Sequence, residues 1–436
     1  MQAPIYNFLL EYSNKQMLRM HMPGHKGKID NNVLSSVYPL DITEISGADS
    51  LFEADGIIEK SEENASRLFK TKATFYSAQG STLCIQAMLT LMKQENRRII
   101  AIRNSHRAFL NACVLLDLDV EWIYPNYENS ILSGEIDINN IKSALQESTS
   151  PSCVYITSPD YMGRLADIAL ISNICKEHNA VLIVDNAHGA HLAFTNPILH
   201  PIALGADICC DSAHKMLPTL TGSAYLHIGN EKYINKAKTA MSLFASTSPS
   251  YLILASLDLC NLYLKQEIVE DIKRCNESIL LLKSALNNKY VFFESEPFHF
   301  TIVGKEGNKL AEKLKEQGIQ PEYYDNQCVV LLFSPIDTDE DFSRLEKVLK
   351  GIDLPDVSIN GNEVILPTLE KAVSVREAVF SEYEEIDVED SLGRVCASVK
   401  IPCPPAVPIV VSGEIVSREC IKIFKRYGIS RINVIK

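Results

Sequence analysis

The sequence predicts an α/β protein: a large domain on a mainly parallel sheet covered on both faces, followed by a smaller α+β domain. Three observations predict it. From about residue 73 to 227, short apolar runs alternate with longer helical patterns. Runs such as Val181-Leu182-Ile183-Val184 are apolar throughout rather than alternating, as in strands buried on both faces. After Ser248-Pro249-Ser250 the pattern changes, first to long helices and then to short strands and Pro-rich turns.

Taken in order, residues 1–72 read as an arm and connectors. His21-Met22-Pro23-Gly24-His25-Lys26-Gly27 is rich in turn residues and carries neither a helical nor a strand period. Strands are expected at 73–77, 98–102, 120–123, 153–157, 181–185, 208–211 and 222–227, with helices between them at 82–94, 106–116, 138–145 and 168–178. Residues 250–289 read as one or two long helices that close the large domain, 73–289. The remainder, 290–436, has a strand at 328–333 and a helix at 338–350 and forms the smaller domain.

Composition narrows the function. At 46% hydrophobic and 22% charged, the 436 residues are those of an ordinary globular protein. A formal charge of −13 argues against nucleic-acid binding, which needs a basic face. No basic stretch followed by a long apolar core opens the chain, and no apolar run approaches a membrane span, so a cytoplasmic protein is expected. The 12 cysteines are scattered without a C-x-x-C pair, and Cys209 and Cys210 adjoin in an expected strand. They read as reduced core cysteines, and no metal site is expected from them.

The chemistry lies at the strand ends. Asp185 closes one apolar run, and Lys215 follows 30 positions later in Ser212-Ala213-His214-Lys215, just past another. Two strands would bring a carboxylate and an amine to one sheet edge. That is the layout pyridoxal phosphate requires: a lysine for the Schiff base and an aspartate to keep the pyridine nitrogen protonated. Gly80-Ser81-Thr82 opens a helix after the first strand, where free N–H groups and hydroxyls suit a phosphate, although a plain helix cap has the same residues. His106 follows another strand and would stack on the pyridine, or be a helix-terminal histidine without a role. Ser212 would donate to the phosphate, and His214 would relay a proton. Asp185-Asn186-Ala187-His188 also has the form of a nucleotide-hydrolase box, but G-x-x-x-x-G-K-[ST] is absent. His188 and His191 have the spacing of a metal pair; packing and turn roles are the better reading.

These motifs together resemble the bacterial ornithine/lysine/arginine decarboxylase family, in its shorter form. The resemblance is carried by Met22-Pro23-Gly24-His25-Lys26-Gly27, Asp41-Ile42-Thr43-Glu44, Arg103-Asn104-Ser105-His106-Arg107, Thr157-Ser158-Pro159-Asp160-Tyr161-Met162-Gly163, Asp185-Asn186-Ala187-His188-Gly189-Ala190-His191 and Ser212-Ala213-His214-Lys215. It implies the aspartate-aminotransferase fold (fold type I) of pyridoxal-phosphate enzymes. It further implies Lys215 as Schiff-base lysine, Asp185 as nitrogen partner and His106 as stacking residue. The whole cofactor-binding set is Gly80, Ser81, Thr82, His106, Asp185, Ala187, His188, Ser212, His214, Lys215 and Thr247, with Lys215, Asp185, His106 and His214 in the reaction. Thr247-Ser248-Pro249-Ser250-Tyr251 matches a family block that reaches a neighbouring subunit's cofactor, which implies a homodimer or larger.

The chain departs from the family at several positions. Asn186 replaces a common glutamate, and Ser50 stands where an acid is usual. Cys403 and Ala406 break the usual Pro-Tyr-Pro-Pro-Gly-Ile-Pro, and Ser412-Gly413-Glu414 replaces Pro-Gly-Glu in a segment expected near the substrate mouth. The implied reaction is α-decarboxylation of arginine, lysine or ornithine to a polyamine or its precursor. Transamination, with Arg376, Arg394 or Arg418 on the substrate carboxylate, or another lyase reaction is one alternative. A non-catalytic cofactor-binding relative is another.

Overall fold

A computed structural model describes residues 1–127, 130–357, 366–398 and 407–436. It divides into two compact units, 1–91 with 183–273 and 92–182 with 274–436.

The first unit carries the strands Ala73–Ser77, Ala224–Ile228, Ile208–Asp211 and, from residue 183, Val181–Asp185, in that spatial order. Val181–Asp185 and Ile208–Asp211 run parallel, with Asp185 opposite Cys210. Every residue of both strands is buried, which is why their sequences are continuous apolar runs. Ala224–Ile228 departs from the parallel expectation and is antiparallel to both neighbours. Only the one-turn helix Ala213–Met216 separates it from Ile208–Asp211, too little to carry the chain back along the sheet for a parallel crossover.

The stretch read as arm and connectors contains two helices, Pro4–Asn14 and Ile57–Phe69. The first has Pro4 in its opening turn and no side-chain cap of its own. Its cap comes from far away: Asp258 Oδ2 accepts from the backbone N–H of Ile5 at 2.8 Å and of Tyr6 at 3.1 Å. Asp258 Oδ1 accepts from Ser61, whose hydroxyl meets that of Tyr76. This buried network fastens the N-terminal helix to Ile57–Phe69 and to the helix Tyr251–Gln266.

The second unit carries parallel Ser152–Thr157, Arg98–Ile102 and Val120–Ile123 in that order. The helices Arg107–Leu116, Ile138–Glu147 and Ile168–Glu177 connect or follow them. Asp137 and Asp167 cap the last two by accepting backbone N–H groups. The C-terminal part adds an antiparallel four-stranded sheet around His299–Val303 and Cys328–Leu332, and a three-stranded one centred on Arg431–Ile435. Val410, Phe424, Ile432 and Val434 belong to one apolar core there, and each such side chain contributes about 1.5–3 kcal/mol on burial. No described helix is long and apolar enough to cross a membrane. The described cysteines are all buried, and no disulfide joins any two of them; Cys403 and Ala406 lie outside the described residues.

Candidate active site

Parallel pairing sets Asp185 and Cys210 side by side at the carboxyl ends of their strands, and Ser212 and Lys215 follow within one turn. The sheet edge thus receives the carboxylate and the amine as the spacing predicts. Asp185 is buried, and its Oδ1 accepts the Ala187 N–H at 3.2 Å. The turn after Asp185 is tight: a Cβ on Gly189 would come within 2.0 Å of Asn186 Oδ1. This turn brings His188 back over the edge, with its Nε2 2.8 Å from Lys215 Nζ. One nitrogen of this pair donates to the other, so the lysine and the imidazole share a proton at this contact. Packing and turn roles were expected for His188; its ring faces Lys215 instead. His191 is fully buried in the following one-turn helix.

His214, adjacent to the lysine, turns its Nδ1 to the Ser223 carbonyl at 2.9 Å. A carbonyl only accepts, so Nδ1 carries the proton. Burial holds His214 below its usual pKa against the opposing effect of this hydrogen bond. It is therefore neutral at pH 7.

The helix Gly80–Gln94 begins beside Ser212. Gly80 has φ +69°, its N–H donates to the Gly222 carbonyl at 2.7 Å, and a Cβ there would meet nothing within 4 Å. Ser212 Oγ and Ser81 Oγ lie 2.8 Å apart, so two hydroxyls from separate elements converge beside the first turn. Thr82, next along, is exposed. Amine, carboxylate, hydroxyl pair and helix N-terminus form a donor set that fits pyridoxal phosphate.

Beneath the edge lies a polar network that sequence reading missed. Asp211 Oδ2 is 3.1 Å from both His200 Nε2 and His227 Nε2, and Thr74 Oγ1 is 2.8 Å from His227 Nδ1. Burial pushes the Asp211 carboxyl up, but the two histidines outweigh it and hold it well below the carboxylate range. Asn186 Nδ2 donates to Asp211 Oδ1 at 2.7 Å. A carboxylate in place of this amide would face Asp211 with like charge. His200, Cys209 and Asp211 also lie near enough together to share a metal ion.

The two N-terminal motifs meet, since His25 Nε2 and Asp41 Oδ2 are 3.0 Å apart. Asp49 gathers the N–H groups of Ser50, Gly56 and Ile58, so Ser50 takes part through its backbone. Thr247 is exposed on this protomer, just before the helix that begins at Tyr251.

In the second unit, His106 is the N-cap of Arg107–Leu116, its Nδ1 accepting the Ala108 N–H at 3.1 Å. Of the arginines considered for a substrate carboxylate, Arg376 donates to the Val114 and Leu115 carbonyls, and Arg394 pairs with Glu384. Arg418 is exposed.

Residues 3–299 match the family described as Orn/Lys/Arg decarboxylase, major domain, and residues 362–427 match its C-terminal domain. The chain belongs to the Orn/Lys/Arg decarboxylase family. Family members include an arginine decarboxylase of Bacillus subtilis (strain 168), 29% identical over 462 residues that cover 97% of this chain and 93% of that protein. A Francisella novicida lysine decarboxylase, LdcF, superposes with a TM-score of 0.83 at 16% identity, over 100% of this chain and 81% of that one. The E. coli constitutive lysine decarboxylase superposes at 0.80 with 17% identity, over 100% and 82%. The fold is that of fold-type-I enzymes, and the decarboxylase family carries pyridoxal phosphate and amino-acid decarboxylation with it.

Proposed function

We propose that this decarboxylase removes the α-carboxyl of a basic amino acid, arginine, lysine or ornithine, to give agmatine, cadaverine or putrescine for polyamine metabolism. The observation that carries the reading is the Lys215 amine, hydrogen-bonded to His188, which stands three residues after buried Asp185.

Pyridoxal phosphate, when bound, supplies an electron sink for the pair left behind as CO₂ departs. The protein's residues do the rest. Lys215 would hold the cofactor and, once released as the protonated amine, would be the proton donor to the substrate Cα. His188 would orient the lysine nitrogen and exchange a proton with it, supplying one as the lysine is displaced. Asp185, out of water, would stabilise positive charge at the ring nitrogen. Ser81, Ser212, Thr82 and the N–H groups after Gly80 would hold the phosphate, and His106 would be the stacking residue. Neutral His214 stands ready as a proton relay beside the lysine.

The active unit is a homodimer or larger, with Thr247 reaching the neighbour's site. The division into an arm (1–72), a cofactor domain (73–289) and a small domain (290–436), and a cytoplasmic location, complete the proposal. Its test is amine and CO₂ production from the three amino acids with pyridoxal phosphate present. One strong amine product supports it; an oxo acid or no product overturns it.

A further inference from the structure

Arg103 and Glu414 are more than 300 positions apart, and both are buried. Arg103 Nη2 donates to Glu414 Oε2 at 2.7 Å and to the Ile409 carbonyl at 3.2 Å. Its guanidinium lies 5.0 Å from the ring centre of Trp122 and 5.5 Å from that of Tyr124. Among the described residues, neither Nε nor Nη1 has a hydrogen-bond partner. One carboxylate, one carbonyl and two aromatic faces therefore hold this charge.

Each end of the contact is rigid. Glu414 Oε2 also accepts the Val411 N–H at 2.7 Å. Gly413 before it has φ +91°, and a Cβ there would come within 2.4 Å of the Val373 carbonyl oxygen. Gly413 N–H donates to Cys396 O at 2.7 Å, and Cys396 N–H donates back to Glu414 O at 2.9 Å. The turn over residues 411–414 is thus set by backbone before its carboxylate meets the arginine. At the other end, Arg103 is the first residue after the strand Arg98–Ile102, its N–H donating to the Ile123 carbonyl. Asn104 and Ser105 are buried, and Ser105 Oγ donates to the Ile102 carbonyl at 2.6 Å. His106 follows, and its ring caps the next helix. Three immobilised residues separate the strand from His106, and the side chain of the first is tied to the Ser-Gly-Glu turn.

We propose that Glu414, through Arg103, is a positioning residue for His106, so that the Ser412-Gly413-Glu414 turn acts on the cofactor's stacking residue from behind rather than at the substrate mouth. The inference rests on the assignment of His106 to the cofactor face. A strut of this kind sets the height and tilt of the imidazole, to which ring stacking is sensitive.

The test uses the cofactor-loaded enzyme. Glu414→Gln keeps the side chain's shape and drops its charge. It is expected to lower kcat about tenfold, with KM changed by less than about threefold, and to alter the visible circular dichroism of the bound cofactor. In a His106→Ala background the same substitution is expected to change kcat by less than about twofold, because residues that act through one another are not additive. Removing one partner of a buried pair risks misfolding, so a second variant replaces both: Arg103→Met with Glu414→Leu, whose stability an apolar pair of similar volume maintains. It too is expected to lose kcat. An equal loss from Glu414→Gln with and without His106, or wild-type kcat in the folded double variant, overturns the strut. Should His106→Ala itself leave kcat and the visible spectrum unchanged, the assignment of His106 has failed, and the strut falls with it.

Discussion

Lys215 Nζ lies 2.8 Å from His188 Nε2, and the two residues come from different strand ends of the same sheet edge. The two nitrogens are within hydrogen-bond distance, so His188 can exchange a proton with the lysine.

Lys215→Ala is expected to abolish the visible absorbance of the lysine-bound cofactor and turnover with it. His188→Ala should keep that absorbance and lower kcat by about 10²-fold, the lower end of what a positioned acid–base group contributes. Absorbance spectra and single-turnover rates of the two variants check this. A His188→Ala enzyme at wild-type rate would leave the proton transfer to another group.

Asp185→Ala should retain part of the cofactor and lose most turnover, because the pyridine nitrogen loses its buried anion. Cofactor titration followed by kcat measurement separates the two effects. Turnover close to wild type would mean that another residue protonates the ring.

Thr247 is exposed on the single protomer. If it completes a neighbour's site, Thr247→Ala lowers kcat and cofactor affinity while sedimentation still shows the oligomer. A fully active monomer of the unmodified protein would contradict the shared site.

Glu62 makes a pH prediction independent of catalysis. Its carboxyl is pushed up to about 7, first by burial, against the opposing effect of the Lys238 ammonium 2.7 Å away and the Tyr76 N–H. The folded form therefore binds this proton more tightly than the unfolded chain, whose ordinary value is 4.5. The associated stability is fully present below that value and is lost as pH rises through about 7. It amounts to about 3 kcal/mol. Denaturant unfolding at pH 5 and pH 8 should show the loss in the unmodified protein and a smaller one in Glu62→Gln. Asp160 and Asp258, both pushed up to about 6 mainly by burial, leave a remainder of the same sign.

Local chemistry alone determined much of this protein. Strands at 98–102, 181–185 and 208–211 were legible because each is a continuous apolar run bounded by a polar residue, and burial on both faces permits little else. Asp185 and Lys215 were legible for the same reason, since they sit where such runs end. Tertiary structure decided what depends on partners distant in sequence. The helix Pro4–Asn14 has no local cap and is completed by Asp258. The antiparallel course of Ala224–Ile228 follows from pairing on both sides. Asn186 reads as a departure from the family until Asp211 is found 2.7 Å away. Glu414, in a segment expected near the substrate mouth, has its partner Arg103 more than 300 positions away. A buried charge or an uncapped helix end must be satisfied, but the identity of the group that satisfies it is written only in three dimensions.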